Sequence, residues 1–214
     1  MAARDYGQYG GITRALELVG ERWSLLIIRD LLVGPRRYGE LAGGLHRIPS
    51  NILAARLKDL QAAGVIRRVP HSRVIVYELT PYGRELEPVI LALGAWGFKT
   101  LGDPRDEQVI TPDSMTIDLR TAFRPEVASI LPTTAYAARF GGAELLIRVD
   151  GSTLDVTRGD GPADLAFTAG ADIRRLISGE LPAGRAIETG VVEVLHGRAA
   201  LLGRFADTFH LSAA

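Results

Sequence analysis

The chain has 214 residues, 47% of them hydrophobic, with 25 basic and 25 acidic side chains and no cysteine. Without cysteine, disulfides, thiolate catalysis, zinc–thiolate sites and thiol redox sensing are excluded, and a cytoplasmic home fits. No apolar run approaches the roughly 20 residues of a membrane helix, and Met1–Tyr6 lacks the apolar core of a signal peptide, so no membrane partner is expected.

The balanced charge is unevenly spread. Residues 1–97 carry 13 basic and 9 acidic side chains, 13 − 9 = +4, and residues 98–214 carry 12 and 16, 12 − 16 = −4. Between 36 and 73 there are eight basic residues against Glu40 and Asp59, 8 − 2 = +6. A localised positive patch is the footprint of a nucleic-acid binder, although like-charge blocks are often only solvated, so the pattern beneath the charge has to decide.

Ile12, Ala15, Leu16 and Val19 recur at helical spacing over 11–20, and Gly20 ends that helix. A broad apolar face from Trp23 to Leu32 predicts a second helix, stopped by Gly34-Pro35. Tyr38, Leu41 and Leu45 mark a short third helix, and His46-Arg47-Ile48-Pro49 is a turn. A fourth helix runs from Ser50 to Ala63, with Ser50 or Asn51 as its cap. Its Ile52, Leu53, Leu57 and Leu60 face the core, which turns Ser50, Asn51, Ala54, Ala55 and Lys58 outward. Val65–Val69 and Val74–Leu79 are strands joined by a turn over Pro70–Arg73. Thr80-Pro81 opens a last, strongly apolar helix lined by Leu86, Val89, Ile90, Leu93 and Trp96, suited to packing on its own domain or on a second copy.

Helix, turn, helix and basic hairpin in that order form a winged helix-turn-helix. A major groove admits one helix, and a basic hairpin can reach the flanking backbone. Ser50, Asn51 and Ala54 are the candidates for base-edge contact, since Asn can bond adenine in a paired fashion and Ala can touch a thymine methyl. Arg36, Arg37, Lys58 and Arg73 are the candidates for phosphate contact, which positions rather than specifies. Tyr38 is either a further contact or a core residue. Strand alternation lets only one of Arg67 and Arg68 face the groove. Arg22 and Arg56 read as structural, with Glu21, Asp30 or Asp59 as partners. His46 and His71 are turn residues, and the four histidines lack metal spacing.

Four stretches of this half are similar to the HxlR family of dimeric winged-helix transcriptional regulators, related to the MarR group. They are Arg14–Trp23 (RALELVGERW), Leu31–Tyr38 (LLVGPRRY), Leu53–Leu60 (LAARLKDL) and Tyr77–Gly83 (YELTPYG). The resemblance spans about residues 8–97. It implies a homodimer on a pseudo-palindromic operator, with the first two helices and the Thr80–Gly97 helix as dimer contacts. Many members carry a cysteine where this chain has Gly10, so their thiol switch is not open to it.

Residues 98–114 hold Gly102, Pro104 and Pro112 without periodicity and read as a linker. Met115–Phe123 fits a strand or a helix. Thr133–Phe140, Ala143–Val149 and Ser152–Arg158 alternate and are separated by Gly141-Gly142 and Asp150-Gly151, a meander with a strong hairpin signal. Leu165–Thr168 and Val191–Leu195 are further strands. Ile173, Leu176 and Ile177 mark a short helix, and Leu201–Phe209 a final amphipathic one. The runs SGEL (178–181), IETGVVEV (187–194) and Gly197-Arg198 before the last helix resemble the type-2 sterol carrier protein fold over 115–214. That resemblance implies an apolar cavity, with Tyr136, Phe140, Leu146, Phe167, Leu176, Leu202, Phe205 and Phe209 as candidate lining. The same side chains equally suit a solid core, since interiors are close-packed.

The expected class is therefore α+β: a winged helix-turn-helix over 8–97, a linker over 98–114 and a sterol-carrier-like α+β domain over 115–214. No nucleophile elbow, phosphate loop or zinc-protease motif points to an enzyme, and no cofactor is implied. The expected function is a DNA-binding regulator, in the first instance a repressor, controlled by a small apolar effector if by anything. The alternative is a carrier of lipids or apolar metabolites whose winged helix engages a protein.

Overall fold

The computed structural model describes residues 5–105 and 107–212, so the expectation drawn from the first four residues lies outside the described ones. The chain divides into two compact units, Met1–Ile90 and Leu91–Ala214.

The first unit contains α1 (Gly11–Val19), α2 (Ser24–Val33), α3 (Tyr38–Gly44), α4 (Ser50–Ala62), a hairpin of β1 (Ile66–His71) and β2 (Val74–Leu79), and α5 (Pro81–Arg84); α6 (Glu87–Phe98) runs across the division. Ile27, Ile28 and Leu31 of α2, Leu41 of α3, and Leu53, Leu57 and Leu60 of α4 form its buried aliphatic core. β1 and β2 pair antiparallel from Ile66↔Leu79 to His71↔Val74. Arg36 adds a bridge to the free edge of β2, its N–H donating to the Tyr77 carbonyl at 3.0 Å and its carbonyl accepting from Tyr77 N–H at 2.7 Å. Thr80 caps α5, its hydroxyl accepting from Gly83 N–H at 3.0 Å and donating to the Gly64 carbonyl at 2.7 Å. Gly83 is required at this joint, because a Cβ there would stand 2.0 Å from the Val65 carbonyl oxygen.

Three sequence expectations are corrected here. Neither Ser50 nor Asn51 caps α4. Pro49 does, at φ −63° and ψ 141°, with no side-chain cap bond, and its carbonyl accepts from Ile52 and Leu53. The proline ring already holds the extended conformation that a cap residue needs, which places Ser50 and Asn51 inside the first turn. The single helix expected over Thr80–Gly97 is two, α5 and α6. Pro88 would clash with the carbonyl of residue 84 in a continuous helix, so α5 stops at Arg84 and Pro88 sits in the first turn of α6. The hairpin turn is only Ser72-Arg73, because β1 extends through Pro70, which an edge strand tolerates.

After the end of α6, the second unit continues with α7 (Pro112–Ala122), so Met115–Ala122 is helical, while Phe123 is extended and forms a bridge to Phe209. Thr111 and Ser114 form a reciprocal capping box, with Pro112 at the first helical position. After α8 (Pro125–Ala128) come β3 (Thr134–Phe140), β4 (Ala143–Asp150), β5 (Thr153–Arg158), β6 (Leu165–Ala169), α9 (Ile173–Ile177), α10 (Ala183–Glu188), β7 (Val192–Gly197) and α11 (Leu201–Thr208). The five strands lie in the order β5-β4-β3-β6-β7, antiparallel except for the parallel pair β3–β6. One face of the sheet is buried, through Tyr136, Ala138 and Phe140 of β3, Leu145 and Ile147 of β4, and Leu165 and Phe167 of β6. Met115 and Leu119 of α7, Leu176 of α9 and Leu202 and Phe205 of α11 belong to the same core cluster. The short helices α8 and α10 carry too few turns to show a period in the sequence.

Candidate nucleic-acid interface

α4 is two-faced. Leu53, Leu57 and Leu60 are buried, whereas Ser50, Asn51, Ala54 and Lys58 are exposed along the opposite side, and Ala55 is half-buried between them. Because Pro49 provides the cap, the Ser50 and Asn51 side chains are not consumed in capping and stand at the solvent end of the helix. A helix entering a major groove reads bases with such residues of its first turns.

The other candidates occupy distinct places. Tyr38 is 37% exposed, and its hydroxyl donates to the Ser50 carbonyl at 2.9 Å. It ties the start of α3 to the start of α4, so Tyr38 acts as a strut that fixes the interval between the two helices. Arg37 precedes α3 and is exposed, with Glu40 accepting its backbone N–H at 2.6 Å. Arg36 is half-buried, its Nη1 bonded to the Pro35 carbonyl at 2.9 Å, and its main chain holds the wing. Arg73 is exposed at the hairpin turn beside Ser72, whose φ of +56° is uncommon for a residue with a Cβ.

Arg67 and Arg68, of which strand alternation lets only one face the groove, differ in their partners. Arg67 reaches across the hairpin to Glu78 at 2.6 Å, while Arg68 is exposed opposite Tyr77. Nothing in the sequence flagged Arg68 over Arg67; the register that puts Glu78 opposite Arg67 is a tertiary fact. Arg56 is structural, as expected, with Nη1 2.8 Å from Asp59 and 3.7 Å from Glu21. Arg22 lies over the Trp23 ring, 5.2 Å from its centroid.

The ligand candidates of the second unit fall in two groups. Tyr136, Phe140, Phe167, Leu176, Leu202, Phe205 and Phe209 are all buried. Phe205 is the hub of their rings, 5.3 Å from Tyr136, 5.3 Å from Phe167 and 4.7 Å from Phe209, and Phe140 meets Phe167 at 5.8 Å. These rings fill space against one another. Burial pushes the Tyr136 hydroxyl up to about 12. Leu146 is not in that group. It is half-buried on the other face of β4, because the buried side takes Leu145 and Ile147 and the strand period is two. Beside the core lies an open groove of about 440 Å3, with Leu176, Leu181 and Ala206 as apolar wall and Arg124, Asp207 and His210 as polar rim.

Among the described residues, no group of three or more His, Asp or Glu side chains is placed to hold a metal ion, and no helix is long and apolar enough to cross a membrane.

Comparison with known proteins gives the N-terminal geometry a context. The family model described as HxlR-like helix-turn-helix matches residues 18–104. The HTH-type transcriptional regulator Rv3095 of Mycobacterium tuberculosis is 43% identical over 112 residues, which cover 51% of this chain and 65% of that protein, just under two thirds of its length. The HTH-type transcriptional regulator YtcD of Bacillus subtilis is 36% identical over 89 residues, 40% of this chain and 71% of that one. A crystal structure of YtcD covers 44% of this chain and 98% of its own at 33% identity and a TM-score of 0.41. The quinone-bound YodB structure from Bacillus subtilis covers 40% and 93% at 36% identity and a TM-score of 0.36.

Proposed function

This chain belongs to the HxlR-like helix-turn-helix family, and we propose that it is a sequence-specific DNA-binding transcriptional regulator that works as a homodimer. The family is one of regulators, not of enzymes. The observation that carries the reading is the polar outer face of α4, Ser50, Asn51, Ala54 and Lys58, flanked by Arg37 before α3 and by Arg68 and Arg73 on the hairpin. Ser50, Asn51 and Ala54 read base edges. Arg36, Arg37, Lys58 and Arg73 engage phosphates, and Tyr38 contributes by holding α3 and α4 in register.

Dimerisation is supported by apolar side chains left in solvent. Ile12 (81% exposed) and Leu16 on α1, and Val89, Leu93 and Trp96 (73% exposed) on α6, form surfaces that a second copy would cover. Two-fold symmetry then matches a pseudo-palindromic operator, and the simplest action of a dimer seated there is to exclude polymerase, hence repression. We take 8–97 as the DNA-binding domain and 115–214 as a sterol-carrier-like domain; the linker expected over 98–114 is shorter, because α6 ends at Phe98 and α7 begins at Pro112. The groove of the second domain beside α9 and α11, rather than its ring-packed centre, is the place for a small apolar effector. The operating compartment on this reading is the cytoplasm.

An electrophoretic mobility shift with the DNA upstream of the chain's own coding region tests the core of the proposal. The expected result is a complex that survives excess non-specific competitor and weakens linearly in log–log terms as salt rises. Absence of any specific complex at moderate salt would shift the reading to the carrier of apolar molecules. Native mass spectrometry reports both the dimer mass and any co-purified apolar ligand.

A further inference from the structure

The β1–β2 hairpin buries apolar side chains at its root and shows them at its tip. Ile66, Val76 and Leu79 are buried and Val69 and Val74 half-buried, whereas Ile75 is 43% exposed and Pro70 is exposed. Pro70 and Ile75 stand opposite each other in the register, one pair before the Ser72-Arg73 turn. Strand parity puts them on one face with Arg68↔Tyr77 and the buried Ile66↔Leu79, so this face is core at its root and an apolar pair in solvent at its end. The root is held on both edges of β2, by the ladder to β1 and by the Arg36 bridge to Tyr77. The pair has a cationic fringe. Arg68 is exposed on the same face and Arg73 at the turn, and the one acid between Ile66 and Leu79, Glu78, is engaged by Arg67 at 2.6 Å. An apolar pair fringed by guanidiniums matches a duplex, whose base steps are apolar and lie between two anionic backbones.

We propose that the Pro70–Ile75 tip enters the minor groove beside the major groove that α4 occupies, and that Ile75 wedges between two base pairs and kinks the duplex. With a helix in a major groove, the next groove along the duplex is the minor one. Arg68 and Arg73 engage the phosphates that border it, while Ile75 displaces water from an apolar base step and Pro70 backs it from the facing strand. Apolar residues of this kind, isoleucine and proline among them, unstack single steps in other minor-groove complexes. Pyrimidine–purine steps unstack most readily, so the wedge selects a TA or CA/TG step without any hydrogen bond to a base edge. This inference rests on the DNA-binding reading and adds to it a sequence preference at a position that α4 does not touch.

A circular-permutation mobility shift with the full chain on its own upstream DNA, the site mapped by footprinting, measures the bend in the complex. The expected angle is about 20–90°. Ile75→Thr keeps a β-branched residue in the strand and should cut that angle by about half or more, with the salt slope unchanged. Ile75→Leu, which keeps the apolar bulk, should keep the angle, and circular dichroism confirms that both variants fold. Replacing the pyrimidine–purine step under the hairpin by an AA step should weaken the wild type about fivefold and Ile75→Thr less than about twofold. A straight specific complex, or the same bend with Ile75→Thr, overturns the wedge and leaves DNA binding in place. Equal loss with Ile75→Thr at every step sequence, the bend being kept, also overturns it and reduces Ile75 to a support of the hairpin. Absence of any specific complex defeats the DNA-binding reading itself, and the wedge with it.

Discussion

The two units fill their cores with different side chains. The core of the first is aliphatic, built on Ile27, Ile28, Leu31, Leu53, Leu57 and Leu60, while its Tyr6, Tyr9, Tyr38 and Tyr82 reach solvent, as do Ile12 and Leu16. The second folds Tyr136, Phe140, Phe167, Phe205 and Phe209 inward as one ring cluster. Small branched side chains let three short helices and a hairpin close around a thin core and keep the outer helix faces free for recognition. Rings supply more buried area per residue and suit a sheet covered by short helices that bury little on their own. The unit with the aliphatic core carries the proposed interface, and the unit with the aromatic core holds its rings inside.

Phe205→Ala should break the second unit most severely. Three rings lie within 5.3 Å of it, so we expect a loss of about 3–5 kcal/mol in denaturant titration. A loss below about 1 kcal/mol would mean that the rings do not carry the fold.

Tyr136 sharpens the same contrast by pH. Its hydroxyl is raised from the ordinary value near 10 to about 12 by burial, so folding favours the protonated form. The stability this contributes is fully present below pH 10 and is lost as pH rises through about 12, up to roughly 3 kcal/mol. Tyr136→Phe should remove that alkaline decline. Equal pH dependence in both proteins, followed by chemical denaturation between pH 9 and 12, would show that Tyr136 ionises as freely as an exposed phenol.

On the first unit the effects fall on recognition instead. Asn51→Ala should relax discrimination at particular base pairs by about 1–3 kcal/mol, read as binding to a panel of single-substitution operators. Uniform loss across the panel would remove Asn51 from base reading. Arg73→Ala, the smallest expected effect, should weaken all sequences alike and reduce the salt slope by about one. An unchanged slope would take the hairpin turn off the phosphate backbone.

Much of this was legible in the chain. The spacing of Leu53, Leu57 and Leu60 identified the outward face of α4, and Asp150-Gly151 announced the turn between β4 and β5. Apolar period reports which side of one element is buried, and turn residues report where it ends, because both are local. Leu146 falls outside the buried face because strand parity, not size or hydrophobicity, sets which side of β4 a residue occupies. The role of Tyr38 is not local, because it depends on a carbonyl twelve residues away.

The sequence by itself determined the α+β class, the order of helices and hairpin, the basic stretch from 36 to 73 and the absence of any thiol switch. Only the tertiary structure decided that Pro49 rather than Ser50 or Asn51 caps α4, that Arg67 is engaged by Glu78, that β6 runs parallel beside β3, and that Pro70 and Ile75 stand opposite each other in the hairpin. Each of these depends on which distant residue the folded chain brings alongside, and neither period nor composition encodes that proximity.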